Sequence, residues 1–137
     1  MMHHIPISTH SQTEFIDITD TVQRIISDSK VKSGLCHIFV PHTTAGVTIN
    51  ENADPSVRRD IINELNKVIP FNDYYDHSEG NSAAHIKSSL IGCSLTVIIE
   101  ANRLQLGTWQ GIYFCEFDGP RQRKIWVKIL TGKDEDF

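Results

Sequence analysis

The chain has 137 residues, 39% of them apolar and 22% charged, with a formal net charge of -4, so it can bury one core and is too hydrophobic to be disordered. The mild acidity excludes a partner held through a broad positive field, and neither nucleic acid nor an anionic membrane is expected. No run approaches the ~18 apolar residues of a membrane span, and the opening residues lack the apolar stretch of a signal peptide, which gives an expected cytoplasmic location.

After an extended opening stretch, Thr19 or Asp20 caps a first helix whose apolar positions Val22, Ile25 and Ile26 follow the i, i+3, i+4 rule; it ends between residues 30 and 34. Residues 35–40 (LCHIFV), bounded by Gly34 and Pro41, are apolar on both faces and predict an interior strand. Residues 46–49 are short and β-prone. A helix start follows, with Asp54 as N-cap and Pro55 at the first helical position. Val57, Ile61, Ile62, Leu65 and Ile69 give this second helix an apolar stripe, and Pro70 closes it.

Residues 71–81 predict a polar loop. Asn81 or Ser82 then caps a third helix that stops at Gly92, with Ala83, Ile86 and Leu90 as its core face and His85 turned sideways. The remainder is strand-rich, at 94–99, 108–117 and 122–130, with turns at Asn102 and at Gly119 and Pro120. In the last strand Ile125, Val127 and Ile129 alternate with Lys124, Trp126 and Lys128, as one buried face requires. The sum is an α+β single domain over residues 1–137, an antiparallel sheet or sandwich core with about three helices packed on it. Residues 133–137 read as a frayed acidic tail. Cys36, Cys93 and Cys115, odd in number and set in apolar runs, read as reduced thiols in a core.

Polar residues concentrate in HTTAGVTINENADP (42–55) and YYDHSEGNSAAHIKSSLIG (74–92). His42 follows an interior strand, where a neutral imidazole suits metal ligation or acid–base work, although a lone loop histidine would look the same. His77 and His85 match no dedicated zinc spacing. Three imidazoles from separate elements nevertheless suit a catalytic metal site with one open position. Glu51 can hold a metal-bound water, take a proton or bind a hard cation, whereas Asp54 is accounted for as a cap.

At residues 79–82 (EGNS), Gly80 frees the backbone to approach a ligand, and the first amides of the third helix favour an anion such as phosphate; the alternative is a helix cap and nothing more. Lys87 and the threonines can add charge and hydroxyl donors. Trp109 can stack on a heteroaromatic ring or fill the core. Arg121, beside the Gly-Pro turn, can clamp phosphate or carboxylate, whereas Arg123 reads as a surface ion pair with Asp118. No nucleophile elbow, phosphate loop or dinucleotide-binding glycine pattern is present, and Cys36 reads as an inert packed thiol.

The segments HTTAGVTINENADP, DHSEGNSAAHIKSSLIG and LQLGTWQGIYFCEFDGPR, in this order and spacing, resemble the YjbQ family, also called the secondary thiamine-phosphate synthase family. The likeness covers nearly the whole chain. It implies a compact α+β subunit assembling as a homotrimer, with a pocket for a divalent metal, Zn or Mg, at His42, His77 and His85. It also implies a weak, secondary activity that couples a pyrimidine-methyl diphosphate to a thiazole phosphate and releases pyrophosphate. The corresponding assignment gives acid–base roles to Glu51, Glu79 and His77, and contacts to a small phosphorylated molecule to Thr43, Gly80, Asn81, Ser82, Lys87, Trp109 and Arg121. Rival readings are a metal-dependent hydrolase of a small phosphorylated or acylated substrate, and a non-catalytic trimer that binds a metal or anion.

Overall fold

The computed structural model describes residues 2–132, and the acidic tail expected at 133–137 lies outside them. In chain order the elements are β1 (Met2–Ser8), β2 (Glu14–Asp17), α1 (Thr19–Ser29), β3 (Gly34–Phe39), β4 (Ala45–Glu51), α2 (Pro55–Val68), α3 (Ser82–Ile91), β5 (Ser94–Glu100), β6 (Arg103–Leu104), β7 (Gln110–Glu116) and β8 (Gln122–Thr131). They build a five-stranded sheet in the order β1-β8-β3-β5-β6 and a three-stranded sheet in the order β2-β7-β4, with every pairing antiparallel. The expected α+β domain with three helices is therefore the observed one.

Alternation in the strands sets the layers. Ile125, Val127 and Ile129 of β8, Cys36 and Ile38 of β3 and Ile112 and Phe114 of β7 meet between the two sheets, joined there by Val22 and Ile26 of α1. The opposite phase of β7, Tyr113 and Cys115, forms a second core with Phe15, Ala84 and Phe117, against which Ile61, Ile62 and Leu65 of α2 pack. β7 is thus covered on both faces, which explains its unbroken apolar run. The outer face of the five-stranded sheet is uncovered, leaving Leu35, Ile98 and Leu130 41%, 55% and 51% exposed. No helix among the described residues is long and apolar enough to cross a membrane.

Local chemistry departs from the expected caps at two helices. Thr19 is the first residue of α1 rather than its cap, and Asp17 accepts the Thr19 amide at 2.9 Å. Asp54 caps α2 as expected, accepting from the Ser56 amide at 2.9 Å. At α3 neither Asn81 nor Ser82 makes a side-chain cap. The Asn81 amide donates instead to Asp118 at 3.0 Å.

The core face of α3 also differs from its apolar stripe. Ala83, Ala84, Lys87 and Ser88 are buried, while Ile86 and Leu90 are 39% and 66% exposed. Small residues decide the rotation: Ser88 Oγ donates to the Ala45 carbonyl at 2.6 Å. A Cβ on Gly46 would come within 2.7 Å of the Gly92 carbonyl oxygen. Close packing on β4 outweighs burial of two larger side chains. Cys93, just after this helix, is exposed rather than in the core, whereas Cys36 and Cys115 are buried. Burial pushes the Cys36 thiol up to about 11 and raises Cys115 as well, so neither is a thiolate near neutral pH.

Candidate functional site

An open cleft of about 660 Å³ lies where the β3–β4 connection, the start of α3 and the β7–β8 hairpin converge. His42, Thr43 and Thr44 come from the first, Asn81 and His85 from the second, and Asp118, Arg121 and Arg123 from the third; Glu79 and Cys93 complete the rim. His42 is held by β8: its Nε2 lies 3.1 Å from both the carbonyl oxygen and the amide nitrogen of Lys124. Either tautomer finds a partner there, and Nδ1 remains free. Burial, reinforced by the positive charge of Arg123, lowers the His42 pKa from its usual value, which keeps the ring neutral.

His85 belongs to this cleft and also to an adjoining hollow formed with Tyr75, Asp76, His77, Ser82 and Ile86. The His77 and His85 rings meet edge to face with centroids 5.6 Å apart. His77 Nε2 lies 3.7 Å from a Glu79 carboxylate oxygen. In chemistry this donor set suits a divalent metal, because His42 and His85 are imidazoles with nitrogens uncommitted to the protein. In geometry the set is not closed: among the described residues no three of His, Cys, Asp and Glu stand together as metal ligands.

The remaining expected residues separate. Glu51 pairs with Gln110 at the far end of β4 and β7, next to Trp109, which is 63% exposed. Six residues of strand, about 20 Å, separate that end from Ala45 and Glu116, so Glu51 and Trp109 do not join the histidines. Lys87 is fully buried. Its ammonium donates to Asn66 and sits 4.0 Å from the centre of the Phe71 ring, away from the cleft. Gly80 serves a turn, with φ +80, and does not line the cleft.

The ion pairs of the two arginines differ from the expected one. Arg121 makes the surface pair with Asp118, at 2.9 Å, while Arg123 is buried and paired with Glu116. Phase could have revealed this, because Arg123 lies two residues before Ile125, on the inward face of β8. Glu116 is likewise a charge inside the covered run IYFCEF. One polar atom in the cleft region has no protein partner: Asn81 Oδ1 is buried and accepts nothing.

Residues 3–132 match the family described as UPF0047 protein YjbQ-like. A UPF0047 protein of Methanocaldococcus jannaschii is 58% identical over 133 residues, covering 97% of this chain and 96% of that protein. The UPF0047 protein YugU of Bacillus subtilis is 50% identical, covering 95% and 99%. Among solved structures, an uncharacterized conserved protein of Clostridium acetobutylicum superposes with a TM-score of 0.92 at 55% identity, covering 93% of this chain and 99% of that one. A protein of unknown function from Sulfolobus solfataricus gives the same score at 34% identity, covering 96% and 97%.

Proposed function

The chain belongs to the UPF0047 YjbQ-like family, and from that membership and the chemistry of its cleft we propose a small metal-dependent enzyme acting on phosphorylated molecules. Its reaction is the thiamine-phosphate synthase type, in which the bond from a pyrimidine methylene to a diphosphate oxygen breaks as the bond to a thiazole phosphate forms, releasing pyrophosphate. The observation that carries the reading is the meeting of two imidazoles, Asn81 and two arginines in one cleft.

Charge supports a metal. The ionised groups at the cleft are Arg121 and Arg123 against Glu79, Asp118 and Glu116, two positive against three negative, so an incoming phosphate needs a further cation. A divalent metal on His42, His77 and His85 would supply that charge and stabilise the leaving diphosphate. Arg121 would hold a phosphate, and Glu79, beside His77, would orient that ring or take a proton.

A homotrimer would bury the uncovered sheet face, where Phe39, stacked on Trp126 at 5.6 Å, borders the cleft. Light scattering on the purified protein would return a monomer mass if that face stays free.

The decisive assay supplies Mg or Zn with both thiamine precursors, each precursor alone, and a panel of phosphate esters. Thiamine phosphate with equimolar pyrophosphate is the expected result. Orthophosphate from a single substrate would replace transfer by hydrolysis, and binding without turnover would leave a non-catalytic protein. Independently, His77→Ala is expected to abolish metal retention; unchanged stoichiometry by elemental analysis would overturn the ligand assignment.

A further inference from the structure

Arg123 occupies an inward-facing position of β8, in phase with Ile125, Val127 and Ile129, and is only 5% exposed. A guanidinium there needs its charge matched and its donors filled. Glu116, fully buried at the end of β7, does the first. It accepts from Arg123 Nε at 2.8 Å and from Nη2 in a side-on pair. The same carboxylate accepts the Thr9 hydroxyl at 2.8 Å and the Asp118 amide at 2.9 Å, so its acceptor sites are occupied and its position is fixed. Nη2 also donates to Thr44 Oγ1 at 2.8 Å and to the Thr44 carbonyl at 3.2 Å.

That leaves Nη1. Among the described residues it donates to nothing, yet it is not one of their buried unpartnered side-chain atoms, which are Asn81 Oδ1 and Trp126 Nε1. Arg123 lines the cleft, and Nη1 is the one guanidinium nitrogen left to serve it. We infer that Arg123 is the fixed anion anchor of the cleft, donating through Nη1 to an oxyanion oxygen of the ligand while Glu116 and Thr44 hold the guanidinium plane. The inference rests on the reading of the cleft as a phosphate site and deepens it.

Arginine suits the task because its planar fork can spend one edge on a buried carboxylate and still present a directed donor elsewhere. The Glu116 charge does not cancel this, because the ligand oxygen meets the N–H first and the carboxylate lies beyond it. Arg121, the residue the sequence favours, is 47% exposed at its side chain and held by Asp118 alone, so its position is less firmly set. Asn81 Oδ1, although unpaired, is buried and presents no acceptor to the ligand.

Calorimetry of inorganic phosphate and of pyrophosphate, each with and without Mg, tests the anchor without any turnover. The unaltered protein is expected to bind. Arg123→Lys, which keeps the charge and the pairing to Glu116 but loses Nη1, should weaken binding by roughly tenfold or more, a larger loss than Arg121→Ala gives. Binding that is unchanged in a folded Arg123→Lys protein overturns the anchor and leaves the phosphate reading standing. Absence of binding to the unaltered protein overturns both. Should Arg123→Lys fail to fold, guanidinium 15N resonances of the unaltered protein decide. Those of Arg123 are expected to shift on phosphate addition, and if they stay still while phosphate binds, the anchor is wrong.

Discussion

The wall of the cleft formed by β7 and β8 holds its charges in a closed network, whereas the wall formed by residues 77–85 leaves its donors almost bare. On the first wall, Glu116 accepts hydrogen bonds from Arg123, Thr9 and the Asp118 amide, and Arg123 reaches on to Thr44. On the second, His77 is exposed with only Glu79 beside it, and His85 meets it through an edge contact. The contrast assigns different work to the two sides. A buried pair held by several hydrogen bonds costs reorganisation during folding and none when a ligand arrives, while the exposed His77 and half-buried His85 are freer to adjust to what binds them. The pair also joins the sheets, since Glu116 belongs to the three-stranded one and Arg123 to the five-stranded one.

The largest effect expected from breaking this asymmetry is on the network side. Glu116→Ala leaves Arg123 buried without its counter-charge, and should lower the stability by about 3–5 kcal/mol in urea denaturation. A loss below about 1 kcal/mol would mean that the pair behaves as a surface bridge.

Acid should lower the stability in two stages. For Glu116, burial alone would raise the pKa, but the hydrogen bonds from Arg123, the Asp118 amide and Thr9 outweigh it and hold the carboxyl below its usual value of 4.5. Its contribution is present above that value and is lost as pH falls through the lower folded pKa. Burial and then the Arg123 charge depress His42 from 6.5. The unfolded chain therefore takes up that proton first, and stability begins to fall below 6.5. Denaturation midpoints measured from neutral pH downwards should decline through both windows, and Glu116→Gln should remove the lower decline. An acid limb of unchanged shape in that variant would locate the sensitivity elsewhere.

On the bare wall the expected separation is between stability and binding. His77→Ala, which removes only the Glu79 contact and the His85 edge, should change stability by no more than about 0.5 kcal/mol even though it removes a proposed metal ligand. A stability loss of the size expected for Glu116 would show that this wall is preset as well.

Strand phase made most of the fold legible: the alternation in β8, the Asp54 and Pro55 helix start and the strand expected at 108–117 all lie where the sequence puts them. Two kinds of contact escaped it. The rotation of α3 depends on how closely Ala84 and Ser88 let it approach β4, a property of the partner strand that the helix's own periodicity does not carry. Arg123 is misplaced in a surface pair with Asp118 when proximity to the turn is weighed above inward phase. Residue type alone also grouped Glu51 with the histidines. The direction of β4, leading away from His42 towards Gln110, separates them in space although only nine positions part them in sequence.

Lys87 supplies the smallest and most discriminating test of the two walls, because composition places it at the phosphate and the fold places it on the buried side of α3, outside the cleft lining. Its ammonium has one amide partner, Asn66, and the face of Phe71, and burial lowers its pKa from the usual lysine value. Desolvation therefore offsets much of what those contacts contribute. Lys87→Met keeps the chain's volume and removes the charge, and Asn66, only half-buried, can turn its oxygen to water. Stability is expected to stay within about 1 kcal/mol of the parent, or to rise slightly, with phosphate affinity unchanged. Loss of phosphate binding in a protein of parental stability would move the anion to the α3 side of the cleft and make the bare wall the binding one.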